Sequence, residues 1–141
     1  MKIEKCINYL MTQAQIKVNQ KFRENLIECQ VTPAQYFMLY YLWNEDGLSP
    51  TQLANLSGLD TSTVTGLLTR LEEKGFISRI NSKDDRRSVN VFLTKPGVML
   101  RDSVDAIIQK SNSEVLSSFT KKEQAALEDF LLRILASFAN P

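Results

Sequence analysis

The sequence predicts a mainly α fold interrupted by one small two-stranded hairpin, and three observations carry that prediction. Between Ser49 and Thr94 a short helix, a turn, a longer helix and two β-prone runs with a charged tip follow in that order, which is the order of a winged helix-turn-helix. Helix starts are written locally, as Ser49-Pro-Thr-Gln52 and Thr120-Lys-Lys-Glu123, each a capping box in which the first and fourth residues exchange hydrogen bonds. The segments flanking this region carry apolar residues at three- and four-residue steps, the period of helices with one buried stripe.

Taken in order, Ile3, Ile7, Leu10, Met11, Ala14, Val18 and Phe22 lie on one stripe of a long helix expected from Ile3 to about Ile27. Thr32 then caps a second helix with Pro33 in its first turn, and its body, AQYFMLYYLW, is apolar on nearly every face, so it is expected to be buried. Asn44 to Gly47 forms a turn. The helix opened by Ser49 should run to about Ser57 and stop at Gly58, where a left-handed residue closes the last turn. Asp60 caps the next helix, whose Val64, Leu67, Leu68 and Leu71 form a core stripe ending at Gly75. Residues 76–81 and 89–94 read as strands, joined by the polar loop Ser82 to Ser88. Thr94 caps a fifth helix expected to reach about Leu116, and Thr120 opens a last one with Ala126, Leu127, Phe130, Leu131, Ile134, Leu135 and Phe138 on its apolar side. The expected organisation is therefore a winged helix-turn-helix region, 32–95, within one compact protomer whose helical flanks, 1–31 and 96–141, pair two copies.

Composition narrows the function. The 141 residues include no histidine, which removes the commonest general base and transition-metal ligand. There is no glycine-rich phosphate loop and no convergent nucleophile and base, so neither an enzyme nor a cofactor or metal site is expected. Two cysteines, Cys6 and Cys29, are too few for a disulfide framework, and no apolar run is long enough for a membrane span, so a cytoplasmic protein is expected. The net charge of +1 gives no support to diffuse binding of nucleic acid, so any DNA site must be local. Its place is the outer face of the 61–74 helix, where small hydroxyl residues and a glycine allow deep entry into a groove about 12 Å wide. Two such heads on a dimer would stand about 34 Å apart, one turn of duplex DNA. A protein-docking module is the rival reading, and its mark would be an apolar patch on that same face.

The run Asp85-Arg-Arg-Ser-Val-Asn-Val-Phe-Leu-Thr94 resembles the wing signature D-x-R-x-x-x-V-x-L-T of the MarR family of bacterial transcriptional regulators. The segment LDTSTVTGLLTRLEEKGFI and the LT-x-x-G step from Leu93 to Gly97 are similar to that family too. The resemblance implies an all-α homodimer with a small wing that binds a pseudo-palindromic operator in double-stranded DNA, usually as a repressor released by a small molecule or an oxidant. By position, Thr61, Ser62, Thr63, Thr65, Gly66, Thr69 and Arg70 form the reading surface, while Arg86 and Arg87 form the wing tip with Asp85 as supporting acid. It also implies a cleft for an aromatic or anionic effector, for which Tyr36 and Tyr40, with Arg23 as carboxylate partner, are candidates beside the plainer reading as core. A redox-sensing subclass would use Cys6, although the position equivalent to its sensing thiol falls on Asn8.

Overall fold

The computed structural model describes residues 1–84 and 87–138, and seven α-helices and one hairpin follow in chain order among them. These are α1 (Ile7–Leu26), α2 (Pro33–Asn44), α3 (Pro50–Ser57), α4 (Thr61–Glu73), β1 (Ile77–Asn81), β2 (Val89–Leu93), α5 (Lys95–Met99), α6 (Arg101–Val115) and α7 (Lys121–Ser137). Short 3-10 turns, Ile3–Lys5 and Ile27–Cys29, flank α1.

Local chemistry sets most of these boundaries. Ser49 Oγ accepts from the Gln52 amide at 3.1 Å while Gln52 Oε1 accepts from the Ser49 amide at 2.9 Å, and Thr120 and Glu123 repeat the exchange at 3.1 and 2.9 Å. Thr32 and Gln35 form a third such box, at 3.2 and 3.1 Å. Gly58, at φ +72°, closes α3 in the left-handed conformation that glycine adopts without strain, and only Leu59 and Asp60 separate it from α4. The long first helix begins later than its apolar period suggests. Cys6 is extended, with ψ 114°, and the ladder starts after it.

The core is built around α4. Its Val64, Leu68 and Leu71 are fully buried with Met38, Leu39 and Leu42 of α2, Leu53 of α3, Ile77 and Val91. Burial of such a side chain contributes roughly 1.5–3 kcal/mol, so this stripe fixes which side of α4 faces out.

The hairpin pairs antiparallel, with Ile77 opposite Leu93, Arg79 opposite Val91 and Asn81 opposite Val89. The end of the expected turn, Asp46 and Gly47, adds a third edge together with Leu48. The Val91 amide donates to Leu48 O at 2.8 Å, the Gly47 amide to Val91 O at 2.9 Å, and Asn90 Nδ2 to Gly47 O at 2.7 Å. From the other side Glu72 of α4 ties the hairpin down, accepting from the Arg79 amide at 2.9 Å and from Arg79 Nη2 at 3.0 Å.

Two expectations change. The helix after the wing is two helices, α5 and α6, divided at Leu100, where the dihedrals stay right-handed but the Leu100 amide reaches Pro96 O only at 3.2 Å. The second helix is not buried all round: Phe37 and Tyr40 are each 44% exposed, because no other described element covers that flank. The last helix, α7, buries none of its residues, and its Phe130, Leu131, Leu135 and Phe138 face solvent. By contrast α1 is held to α6, where Asn25 Nδ2 donates to the buried Ser111 Oγ at 2.9 Å and Lys21 pairs with Glu114 at 3.2 Å.

Gly97 closes the strand-to-helix corner. A Cβ there would lie 2.1 Å from Phe76 O, a backbone atom, and Gly97 O in turn accepts from Trp43 Nε1 at 2.9 Å. Gly97→Ala is therefore expected to cost about 3 kcal/mol by forcing α5 off the hairpin, measured as a lower urea midpoint. Arg79 holds the Glu72 carboxyl below its ordinary range, through the side-chain hydrogen bond first and the amide second. A carboxylate with a lowered folded pKa stabilises fully above its unfolded value and loses that contribution as pH falls through the folded one. Glu72→Gln should cost about 1 kcal/mol near neutral pH, a value discounted for its exposed setting, and the gap to wild type should narrow in urea titrations as pH falls through the lowered folded pKa of Glu72.

Candidate nucleic-acid interface

The sequence-predicted reading surface is brought together on one face of α4. Thr61, Ser62, Thr63, Thr65, Gly66 and Arg70 are exposed and Thr69 is half-buried, while the opposite stripe faces the core. Their polarity is organised by Asp60. Its Oδ1 accepts from the Thr63 amide and from Ser62 Oγ, both at 2.8 Å, and its Oδ2 accepts from Thr63 Oγ1 at 3.0 Å. Those bonds, the Thr63 amide first, hold the Asp60 carboxyl below the usual carboxylate range, so it stays charged at neutral pH. Further along, Thr65 Oγ1 donates to Thr61 O and Thr69 Oγ1 to Thr65 O, both at 2.9 Å. The hydroxyls are pinned to their own helix. That keeps the surface low and leaves each oxygen a lone pair pointing outward.

Gly66 lies in the middle of this face. Among the described residues a Cβ at Gly66 would meet nothing within 4 Å, so none of them demands a glycine there. In a helix interior glycine is less stable than alanine by about 1 kcal/mol, and the fold offers no compensation.

The described cations around the hairpin differ in their surroundings. Arg79 is committed to Glu72, and Lys74 Nζ turns away from the face to Gln30 O at 2.6 Å and Gln35 Oε1 at 2.9 Å. Partial burial lowers the Lys74 pKa from its ordinary value, with repulsion from Arg70 second. Neither commitment is visible in the sequence, since the acceptors of Lys74 lie far away in the chain and Glu72 meets Arg79 only when the hairpin folds back on α4. Arg70 makes no hydrogen bond or ion pair with the described residues, and Lys83 and Arg87 are exposed on the wing. At the wing the Ser82 amide donates to Ser88 O at 2.8 Å, which closes the loop. Asp85 and Arg86 lie outside the described residues.

The aromatic set splits. Tyr36, Phe37, Tyr40 and Tyr41, with Ser57, line an open cleft of about 260 Å³ between α2 and α3, whereas Trp43 packs on the core. Tyr41 Oη donates to Leu56 O at 2.9 Å and sets the floor of that cleft. Arg23 is exposed on α1 and does not line it. Both cysteines are thiols; Cys6 is the extended cap of α1, and burial, then Glu28, pushes the Cys29 thiol up. No described helix is long and apolar enough to cross a membrane.

The MarR family model matches residues 31–89, from the start of α2 into the wing. The chain is 34% identical over 110 residues to the HTH-type transcriptional regulator TtmR of Methylorubrum extorquens (strain PA1), which covers 78% of this chain and 55% of that protein, so it spans about half of TtmR. It is 30% identical over 102 residues to the organic hydroperoxide resistance transcriptional regulator of Bacillus subtilis (strain 168), covering 72% of this chain and 69% of that one. Among solved structures, a mutant MarR from E. coli complexed with operator DNA superposes with a TM-score of 0.84 at 26% identity, over 93% of this chain and 94% of that one. With the helix-turn-helix, its hairpin and these relatives in agreement, the chain belongs to the MarR family.

Proposed function

We propose that this protein is a DNA-binding transcriptional regulator that acts in the cytoplasm as a homodimer on a pseudo-palindromic operator, represses from it, and is released by a small effector. One observation carries the DNA reading: an exposed glycine, Gly66, which nothing among the described residues requires, stands at the centre of a low face of hydroxyls. A glycine kept at a cost to the helix allows another surface to come close, and the similar E. coli fold is described with operator DNA on it. In this reading Thr61, Ser62, Thr63, Thr65, Gly66, Thr69 and Arg70 enter the major groove, with Arg70 on a phosphate. Arg87, with Arg86 beside it and Asp85 supporting the loop, enters the minor groove, where a narrow groove concentrates negative potential and favours guanidinium.

The pairing of two copies follows from what is left uncovered. Ile3, Ile7, Leu10 and Met11 near the start of the chain and Leu127, Phe130, Leu131 and Leu135 on α7 are all exposed in the single chain. An apolar surface of that extent is expected to be covered by another protein surface in water. Two-fold pairing through 1–31 and 96–141 supplies that cover and carries the two heads of 32–95 to matching half-sites. The cleft at Tyr36 and Tyr40 suits a single-ring aromatic effector, whose release action needs only a preference of a few kcal/mol for one head arrangement.

Two experiments test this reading. The wild-type protein is used to enrich duplexes from a randomised pool, and the winner is titrated across salt concentrations with wild type, Gly66→Ala and Arg87→Ala. Gly66→Ala is expected to raise stability by about 0.5–1 kcal/mol yet bind the duplex more weakly, whereas Arg87→Ala should bind more weakly with a salt slope shallower by about one. Unchanged affinity in both variants would sink the assigned face. In sedimentation, the wild type should run at twice the 16.1 kDa of one chain, and Leu135→Asp should shift it toward the single-chain mass, because that side chain is 69% exposed until a partner covers it.

A further inference from the structure

Lys74 is the residue at the C-terminal end of α4, yet its amine serves the other end of the fold. It donates at 2.6 Å to the carbonyl of Gln30, which has φ 58° and ψ 32°, a left-handed conformation unusual for a residue other than glycine. Gln30 ends the 3-10 turn that leads out of α1. The same amine donates at 2.9 Å to Oε1 of Gln35, a side chain only 2% exposed. That oxygen already accepts from the Thr32 amide at 3.1 Å in the capping box of α2. One ammonium therefore joins the reading helix, the corner after α1, and the first turn of α2.

This link differs from the rest of what holds α4. Apart from the Glu72–Arg79 bonds to the hairpin, the helix packs on α2, α3 and β1 through apolar side chains, contacts without direction of their own. The Lys74 bonds are directional, and one ends on a strained corner whose geometry they help to hold. That corner is also where the helix bearing the uncovered apolar residues meets the head.

We propose that Lys74 is a positioning residue: by tying the end of α4 to the corner between α1 and α2, it sets the angle of each reading head to the paired helices, without touching DNA. The proposal rests on the dimeric DNA reading above. Half-sites at fixed spacing reward two heads held at a fixed angle, so loss of the tether should matter only when both heads must bind together.

The test uses the full chain. Lys74→Met and Lys74→Gln remove the amine, Lys74→Arg keeps a charged donor, and circular dichroism and sedimentation confirm that each is folded and paired like the wild type. Each is titrated against the duplex enriched by the wild type, against a single half-site, and against duplexes with one base pair inserted or removed between the half-sites. The amine-less variants are expected to bind the full duplex about tenfold more weakly, an ordinary size for coupling between sites, with Lys74→Arg recovering most of the loss. Half-site affinity and the salt slope should match the wild type, and the penalty for a changed spacer should shrink. A salt slope reduced by about one would make Lys74 a phosphate contact and overturn the proposal. Equal loss on the half-site would place the damage inside the head, and equal affinity on the full duplex would show that the tether positions nothing; either result overturns it. A wild type that enriches no duplex removes the DNA reading itself, an outcome distinct from one in which the wild type and the amine-less variants bind alike.

Discussion

The burial of Val64, Leu68 and Leu71 is the constraint on which the rest depends. A helix of thirteen residues cannot hold itself in water by propensity, and this one contains three threonines among its first five positions. Its stability comes from that stripe. Once the stripe is seated against α2 and α3, the helical period leaves Ser62, Thr65, Gly66 and Arg70 no choice of direction. The proposed reading surface is thus a by-product of core packing, and the residues assigned to it contribute little to placing themselves.

The hairpin depends on the same helix. Glu72 lies next to buried Leu71 and turns outward to take both donors of Arg79, so the wing is pitched by the helix it accompanies. On the opposite side Gly97 allows α5 to approach Phe76 O, and Trp43 of α2 then grips the Gly97 carbonyl. Helix, wing and the following helix form one mechanical body. Lys74 in turn ties the end of α4 to the corner between α1 and α2.

Much of this was legible in the sequence because it is local. The boxes at Ser49 and Thr120, the cap at Asp60 and the stop at Gly58 each depend on residues within four positions, and all stand where the pattern puts them. What was hidden depends on distant partners. The charges of Lys74 and Arg79 are plain in the sequence, but their acceptors, Gln30, Gln35 and Glu72, are settled only when helices meet. The hydropathy of AQYFMLYYLW says that the segment avoids water, not which chain covers it, and so the exposed flank at Phe37 and Tyr40 was missed. The glycine of the LT-x-x-G step was read as a family mark; its physical reason, a carbonyl 2.1 Å from any added Cβ, is tertiary.

The bridge from Leu48 to Val91 has a consequence beyond holding the wing in place. With β1 on one side and residues 47–48 on the other, β2 has both backbone edges engaged, and Asn90 and Asp46 add side-chain bonds at the same border. An open strand edge invites another chain to add to it, and a hairpin projecting from a helical body is where that hazard concentrates. Here the strand rich in Val, Phe and Leu is the one enclosed, while the open edge belongs to β1, which is five residues long and carries Arg79 and Asn81. The wing can extend into solvent without offering its stickiest strand as a template for aggregation.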